Sequence, residues 1–378
     1  MAEVAASTTN KAVNQNRLPT HILELDGFRA LAVWMVIFDH MVDGWTLPKE
    51  AVAWMPKLLW QLVSHGWLGV DLFFILSGFL ITGILLDSRG KPDYFRNFYG
   101  RRALRILPLY LTCIVIMYLC YGGPYFLLSL LFLANFAPAF GISTPHGPGV
   151  FWSLAIEEHF YLVWPLAVRL LTRNVLLATA IGIIIGSPLL RWWAMHAGLE
   201  FTGIYQFSFY RFDGLALGAC LAMWARSQYF NRRGAWILVA VLLTTVAVVT
   251  VVTIPYGVFG TGSPMGVALR STQAQFLFAS MVSLALVYRG TVFTSPLRWG
   301  FALLSAQLSY CLYLIHLSVG DLYYWFLHRF GVHELDLWGP AGALGVRFVV
   351  IVSASFALAW LSQKFLEAPF MKLRKYFA

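Results

Sequence analysis

Arg29 and His40 stand eleven positions apart in the apolar stretch ILELDGFRALAVWMVIFDHM. On an α-helix that interval is within about 20° of three whole turns, so the two side chains share one face, about 16 Å apart along the axis. A histidine so placed can move a proton and an arginine can hold an anion. Ionisable groups inside lipid are costly unless they face a bundle interior or a wet cavity, which makes each of them a candidate for function. Asp26 lies one turn before Arg29 on the same stripe and either neutralises it or belongs to the same site. The plainer reading of His40 is a satisfied core histidine; its place beside two other ionisable groups favours a general base.

The stretch FWSLAIEEHFYLVWPL adds Glu157, Glu158 and His159. Neighbours on a helix point about 100° apart, so the three cannot all face one cavity. Glu157 is the one expected to do so, because Tyr161 and Trp164 share its face and could wall a pocket. It is expected about 9 Å below the outer end of its helix, at a depth comparable with His40. In GWLGVDLFFILSGFLITGILL, Asp71 sits near one end, with Gly78 two turns deeper on the same face, a pattern that allows close helix approach. Asp71 is read as orienting a partner rather than reacting. Ser309, Tyr313, His316 and Gly320 line one face of a further helix. The two-residue offset of Arg211 and Asp213 argues against a local ion pair, so both should pair with other helices. His146, in the polar loop GISTPHGPG, is uninformative. Arg101, Arg102 and Arg105 open another apolar run. Such a cluster either anchors topology at anionic lipid or, as a fixed array of guanidiniums, suits polyphosphate.

These residues need helices to carry them, and the composition says where those helices run. Of 378 residues, 59% are apolar and only 12% charged, with a mean hydropathy of +0.70, far from a soluble globular domain. Windows long enough to span the hydrocarbon layer occur near 22–42, 66–87, 104–121, 151–170, 175–195, 205–225, 235–255, 271–288, 303–326 and 341–363. The segment 124–140 is shorter and bounded by proline. If it does not cross and the N-terminus is cytoplasmic, the inside collects nineteen of the 27 Lys and Arg residues. Five then lie outside (Lys49, Lys57, Arg191, Arg270 and Arg329) and three within spans (Arg29, Arg211 and Arg347). If it crosses, the balance falls to eleven inside and thirteen outside. The expected fold is therefore an all-α polytopic membrane bundle of about ten transmembrane helices plus one short non-crossing segment, with both termini cytoplasmic. Residues 1–20 are expected to be a disordered cytoplasmic tail, 21–372 the transmembrane domain and 373–378 a basic cytoplasmic tail. The net charge of +10 then reflects topology, not nucleic-acid binding. Cys113, Cys120, Cys220 and Cys311 show no metal or disulfide spacing and are read as packing residues.

The ordered motifs R-x10-H at 29–40, GVDLFFILSGFLI at 69–81, RRxxR at 101–105, WSLAIEEHFY at 152–161, SYCLYLIH at 309–316 and LEAPF at 366–370 together resemble the acyltransferase-3 membrane proteins. The resemblance runs from about residue 20 to 372. Its members acylate bacterial surface glycans and related acceptors. It implies a bacterial inner-membrane enzyme whose co-substrate is acyl-CoA, expected to be acetyl-CoA, bound from the cytoplasm, with no permanently bound cofactor and no metal. Catalysis would centre on His40 and Arg29, with Glu157 preferred to Glu158. Arg101, Arg102 and Arg105 would take the donor phosphates. Asp71, Ser77, Ser153, Tyr310, Tyr313 and His316 would line the pocket. The mechanism expected on this basis has His40, oriented by Glu157 or Asp39, deprotonating a glycan hydroxyl as it attacks the thioester. Ser77, Ser153, Tyr310 and Tyr313 are candidates for the oxyanion donor. A covalent acyl-enzyme route, and a transporter or flippase of a lipid-linked glycan, are the competing readings.

Overall fold

A computed structural model describes Pro19 and residues 21–42, 56–257 and 259–377. Apart from Pro19, the tail expected over 1–20 lies outside the described residues, as does Lys49. Ten long helices account for the ten apolar windows. They are α1 (Leu23–Val42), α2 (Leu68–Ser88), α3 (Tyr94–Tyr121), α4 (Phe151–Leu170), α5 (Arg173–His196), α6 (Phe212–Trp224), α7 (Arg232–Thr253), α8 (Pro264–Val287), α9 (Gly300–Arg329) and α10 (Glu334–Ser362). No strand occurs among the described residues. Their starts follow local chemistry where the chain turns sharply. Asn231 caps α7 by accepting from the Gly234 amide at 2.9 Å, and Ser263 caps α8 from Gly266 at 3.0 Å, with Pro264 at the first helical position.

Among the described residues, six helices are long and apolar enough to cross a membrane, seven if α8 and the 3₁₀ segment Val292–Arg298, bent by 109°, form one span. Two of the others, α1 and α4, carry the polar groups that make the chain interesting, while α6 has only 13 residues. The segment 124–140 forms a short helix, Tyr125–Leu130, and a 3₁₀ stretch, Ala134–Phe140. Helix α3 ends and α4 begins at the same end of the bundle, so this segment does not cross. That end also carries His40, and is called the histidine end below. The opposite, arginine end carries Arg101, Arg102 and Arg105. The protein is an all-α, multi-pass membrane protein.

Helices α2 and α9 are central: 72% and 61% of the residues in their apolar windows are buried, against 17% in α7. Helix α2 packs against α6 with almost no side-chain spacer. A Cβ at Gly78 would lie 2.0 Å from the Leu215 carbonyl oxygen, and one at Gly218 2.1 Å from that of Ile75. In lipid, where apolar faces gain little from meeting each other, such backbone approach is how helices hold on.

Two corrections concern charge and one concerns cysteine. Arg191 and Arg270, counted with the outer loops from sequence, are buried in α5 and α8, 2% and 9% exposed. Hydropathy reads a charge as a span boundary, whereas a buried charge with suitable neighbours can sit inside one. Cys120 is exposed rather than packed; all four cysteines are free.

Candidate active site

Arg29 of α1, Phe73, Phe74 and Ser77 of α2, Ser153 and Glu157 of α4, and Ser309, Tyr310 and Tyr313 of α9 line one small cleft of about 80 Å³. The periodicity arguments thus converge: three motifs read separately as polar helix faces surround the same space. Glu157 is fixed by two hydroxyls, accepting from Ser77 at 2.7 Å and from Tyr161 at 3.0 Å. Trp164, the other expected wall residue, donates instead to Thr82 on α2. Glu158 is outside the cleft lining, and His159 turns to the Ser208 hydroxyl at 2.6 Å. The three consecutive ionisable groups of α4 therefore diverge as the helix demands.

Glu157 makes no hydrogen bond or ion pair to His40, contrary to the orienting role expected for it. Its charged neighbours are Arg102 and Arg29, so it stands nearer the arginine end than its place along α4 suggests, and the Ser77 and Tyr161 hydroxyls hold it there. His40 is instead held by His316: Nδ1 of His40 lies 3.0 Å from Nε2 of His316. Nδ1 of His316 faces two backbone oxygens, Leu312 at 3.0 Å and Tyr313 at 2.9 Å. Carbonyls only accept, so that nitrogen carries the proton. In the uncharged pair Nε2 of His316 is then an acceptor, Nδ1–H of His40 donates to it, and Nε2 of His40 keeps its lone pair. The geometry yields a histidine whose outer nitrogen is a base.

Beyond this pair lie two residues that sequence reasoning passed over. Asp321, on α9, accepts from Tyr121 at 2.5 Å and from the Gly147 amide at 2.9 Å, and its other oxygen is 2.7 Å from Nδ1 of His146. Gly147 is required there, since a Cβ would lie 2.4 Å from the Ser318 hydroxyl. The cue was a histidine before a Gly-Pro-Gly turn, but nothing in the chain tells which helix that turn will meet.

At the arginine end, Arg102 stacks on the Tyr161 ring at 4.1 Å. Arg105 lies within electrostatic reach of Arg29, Arg102 and Arg374. Among the described residues none of Arg29, Arg102 and Arg105 makes an ion pair. Asp26, expected to neutralise Arg29 or to join its site, is 2.5 Å from His21. Arg101 points elsewhere, donating to the Phe377 carbonyl at 2.5 Å in the 3₁₀ turn Leu373–Phe377.

The hydroxyls considered for the oxyanion already have acceptors. Ser77 donates to Glu157, Ser153 to the Val150 carbonyl at 3.1 Å, and Tyr310 to that of Ile106 at 3.0 Å. With the Ser153 proton so placed, Tyr313 donates to Ser153, 2.6 Å away. Asp71 lies outside the cleft lining and serves as a structural partner, 3.1 Å from Arg211.

Comparison with known proteins identifies the family. The peptidoglycan O-acetyltransferase OatA of Listeria monocytogenes is 26% identical over 93% of this chain and 56% of its own length. The putative peptidoglycan O-acetyltransferase YrhL of Bacillus subtilis is 33% identical over 39% of this chain and 23% of its own. The O-acetyltransferase OatA of Staphylococcus aureus is 30% identical over 40% and 26%. The chain thus spans about half, or less, of the length of these relatives. No solved structure matches it. The acyltransferase domain model matches residues 22–361, and the chain therefore belongs to the acyltransferase-3 family.

Proposed function

We propose that this protein is a bacterial inner-membrane O-acetyltransferase that moves an acetyl group from cytoplasmic acetyl-CoA to a glycan hydroxyl on the far side of the bilayer. One observation carries the reading: a cleft is lined by Arg29, which has no ion-pair partner among the described residues, and by Tyr313, whose ring lies 6.2 Å from that of His316, the residue that leaves one imidazole nitrogen of His40 basic. On this reading a long donor has its polyphosphate head at Arg102 and Arg105, passes Arg29 and brings its thioester tip to His40. Arg102 and Arg105 hold the phosphates as charge-assisted donors. Arg29, about 16 Å along α1 from His40, is too far to share the reacting carbonyl and stations the donor arm instead. The basic residues gathered at the arginine end support a cytoplasmic location for that end.

Nε2 of His40 takes the acceptor proton as the hydroxyl oxygen bonds to the thioester carbonyl carbon. The carbon–sulfur bond then breaks, and the leaving thiolate takes the proton back from the imidazolium, so acetyl ester and free thiol are the products. His316 keeps His40 in the productive tautomer.

The test is thiol release from acetyl-CoA by purified protein in detergent, with and without a peptidoglycan-derived oligosaccharide. Release that depends on the oligosaccharide and disappears in His40→Ala is the expected result. A stable acetyl label on the protein without acceptor would replace direct transfer by a covalent route, and absence of release with any glycan would remove the reading.

A further inference from the structure

Three buried arginines sit close together near the histidine end, and only two are neutralised. Arg191 pairs with Asp213 at 2.7 Å and Arg211 with Asp71 at 3.1 Å. Gln275 bridges the two carboxylates, donating at 2.9 Å to Asp71 and 3.0 Å to Asp213. Arg270, 9% exposed, is within electrostatic reach of both other arginines. Among the described residues it makes no hydrogen bond and no ion pair, and its Nε is buried without a partner. A buried charge left without a counter-ion is costly, and Asp71 and Asp213 already face Arg211 and Arg191.

The surroundings say what could complete it. The guanidinium lies 3.9 Å from the Trp67 ring centre and 4.8 Å from that of Phe201, with Tyr205 at 5.7 Å. Rings over its faces leave the N–H edge for a ligand, and that edge matches an oxyanion in bidentate fashion. Phe259 and His65 extend the aromatic rim, 6.0 Å and 6.5 Å from Trp67. The position is next to the chemistry. Trp67 follows Gly66, which packs on α1 so tightly that a Cβ there would lie 2.7 Å from the Cβ of Asp39, the neighbour of His40.

We propose that Arg270 and its aromatic rim form the acceptor site, and that the acceptor is a saccharide bearing a carboxylate, which Arg270 binds while the sugar hydroxyl reaches His40. This rests on the transferase reading above, and the experiment separates the two. Two oligosaccharides of equal length are offered to the purified full chain with acetyl-CoA, one uncharged and one carrying carboxylates. Wild type should favour the acidic one by roughly 10–100-fold in kcat/KM, the range of a charge-assisted contact. Arg270→Gln should abolish that preference, and Arg270→Lys, which keeps the charge without the fork, should retain part of it. Should the Gln variant fail to fold, the Lys variant carries the test.

Calorimetric binding of the acidic oligosaccharide without acetyl-CoA gives the second readout. Binding that needs Arg270 in a protein showing no turnover keeps the site and sinks the transferase reading. Equal use of both sugars by wild type, or a preference that survives Arg270→Gln, overturns the proposal. So does displacement of the acidic sugar by phosphatidylglycerol in nanodiscs, which would make the site a lipid-phosphate pocket.

Discussion

Two buried polar assemblies in this protein are rich in arginine, and they differ in how the charge is met. Between α2, α5, α6 and α8, Arg191 and Arg211 each face an aspartate, and Gln275 ties the two pairs together. Arg191 also donates to the Ala268 carbonyl at 2.9 Å and to Thr272 at 3.1 Å, and Arg211 donates to Ser271. Between α1, α3 and α4, by contrast, Arg29, Arg102 and Arg105 have no ion-pair partner among the described residues, and Arg29 lines a cleft instead of a packed interior. A neutralised network is scaffold; an incomplete one in an accessible place is built for a ligand. The distinction cannot be drawn from residue type, since both assemblies read in the sequence as charges within apolar runs.

The largest expected effect tests the chemistry at His40. His40→Ala should lower kcat by roughly 10²–10⁴-fold per folded molecule while acetyl-CoA binding persists. His316→Ala should lower it less, because His40 survives but loses the partner that fixes its tautomer. Turnover of His40→Ala above about a tenth of wild type, a change under about 1.4 kcal/mol, would remove His40 from the mechanism.

The scaffold should respond in the opposite currency. Asp213→Asn strips Arg191 of its charge partner inside α6, and breaking a buried pair costs about 3–5 kcal/mol. Melting temperature in detergent should drop sharply, while kcat of the folded remainder stays near that of wild type. A loss of turnover without a loss of stability would mean that the network belongs to the site.

What was legible beforehand follows from the reach of a helix. Spacing within one helix turned Arg29 and Glu157 toward the cleft, sent Glu158 and His159 in other directions and aligned Ser309 with Tyr313, whereas His40 and His316, expected on the same faces as Arg29 and Tyr313, are not among the lining residues. The offset of Arg211 from Asp213 foretold that each would look to another helix. Periodicity names a face and never the neighbour across it. The His40–His316 pair spans 276 positions and the Ser77–Glu157 bond 80, so spacing could not name either partner and left Glu157 and Asp39 as alternatives beside His40. His146 and Asp321 were lost for the same reason, because a loop has no period and its role depends on the helix it lands against.

The arginine end supplies the next effect in size. Arg105→Gln should raise the KM for acetyl-CoA by roughly 10–100-fold with a smaller change in kcat, since a phosphate contact remote from the thioester contributes mostly uniform binding. Unchanged donor affinity with a fallen kcat would contradict the phosphate role and return Arg105 to the scaffold class.

The smallest effect is expected at Arg101, which belongs to the same RRxxR motif and would be ranked with Arg105 on sequence alone. Its Nε is already committed to the Phe377 carbonyl at 2.5 Å. Phe377 packs where a Cβ on Gly100 would meet its ring at 2.2 Å, and its ring lies 5.5 Å from the Arg96 guanidinium. Arg101 therefore docks the last described turn of the chain on α3, and this turn brings Arg374 within electrostatic reach of Arg101 and Arg102. Removing Arg101 should loosen that turn more than it empties the donor site, so Arg101→Gln should raise the KM for acetyl-CoA by no more than about threefold, below 1 kcal/mol. Proteolysis near residue 373 should become faster in the same variant, a change that Arg105→Gln should not show. If Arg101→Gln matched Arg105→Gln in donor KM and left the proteolysis rate alone, Arg101 would be a phosphate ligand in its own right, and the contact with Phe377 would be what acetyl-CoA displaces on binding.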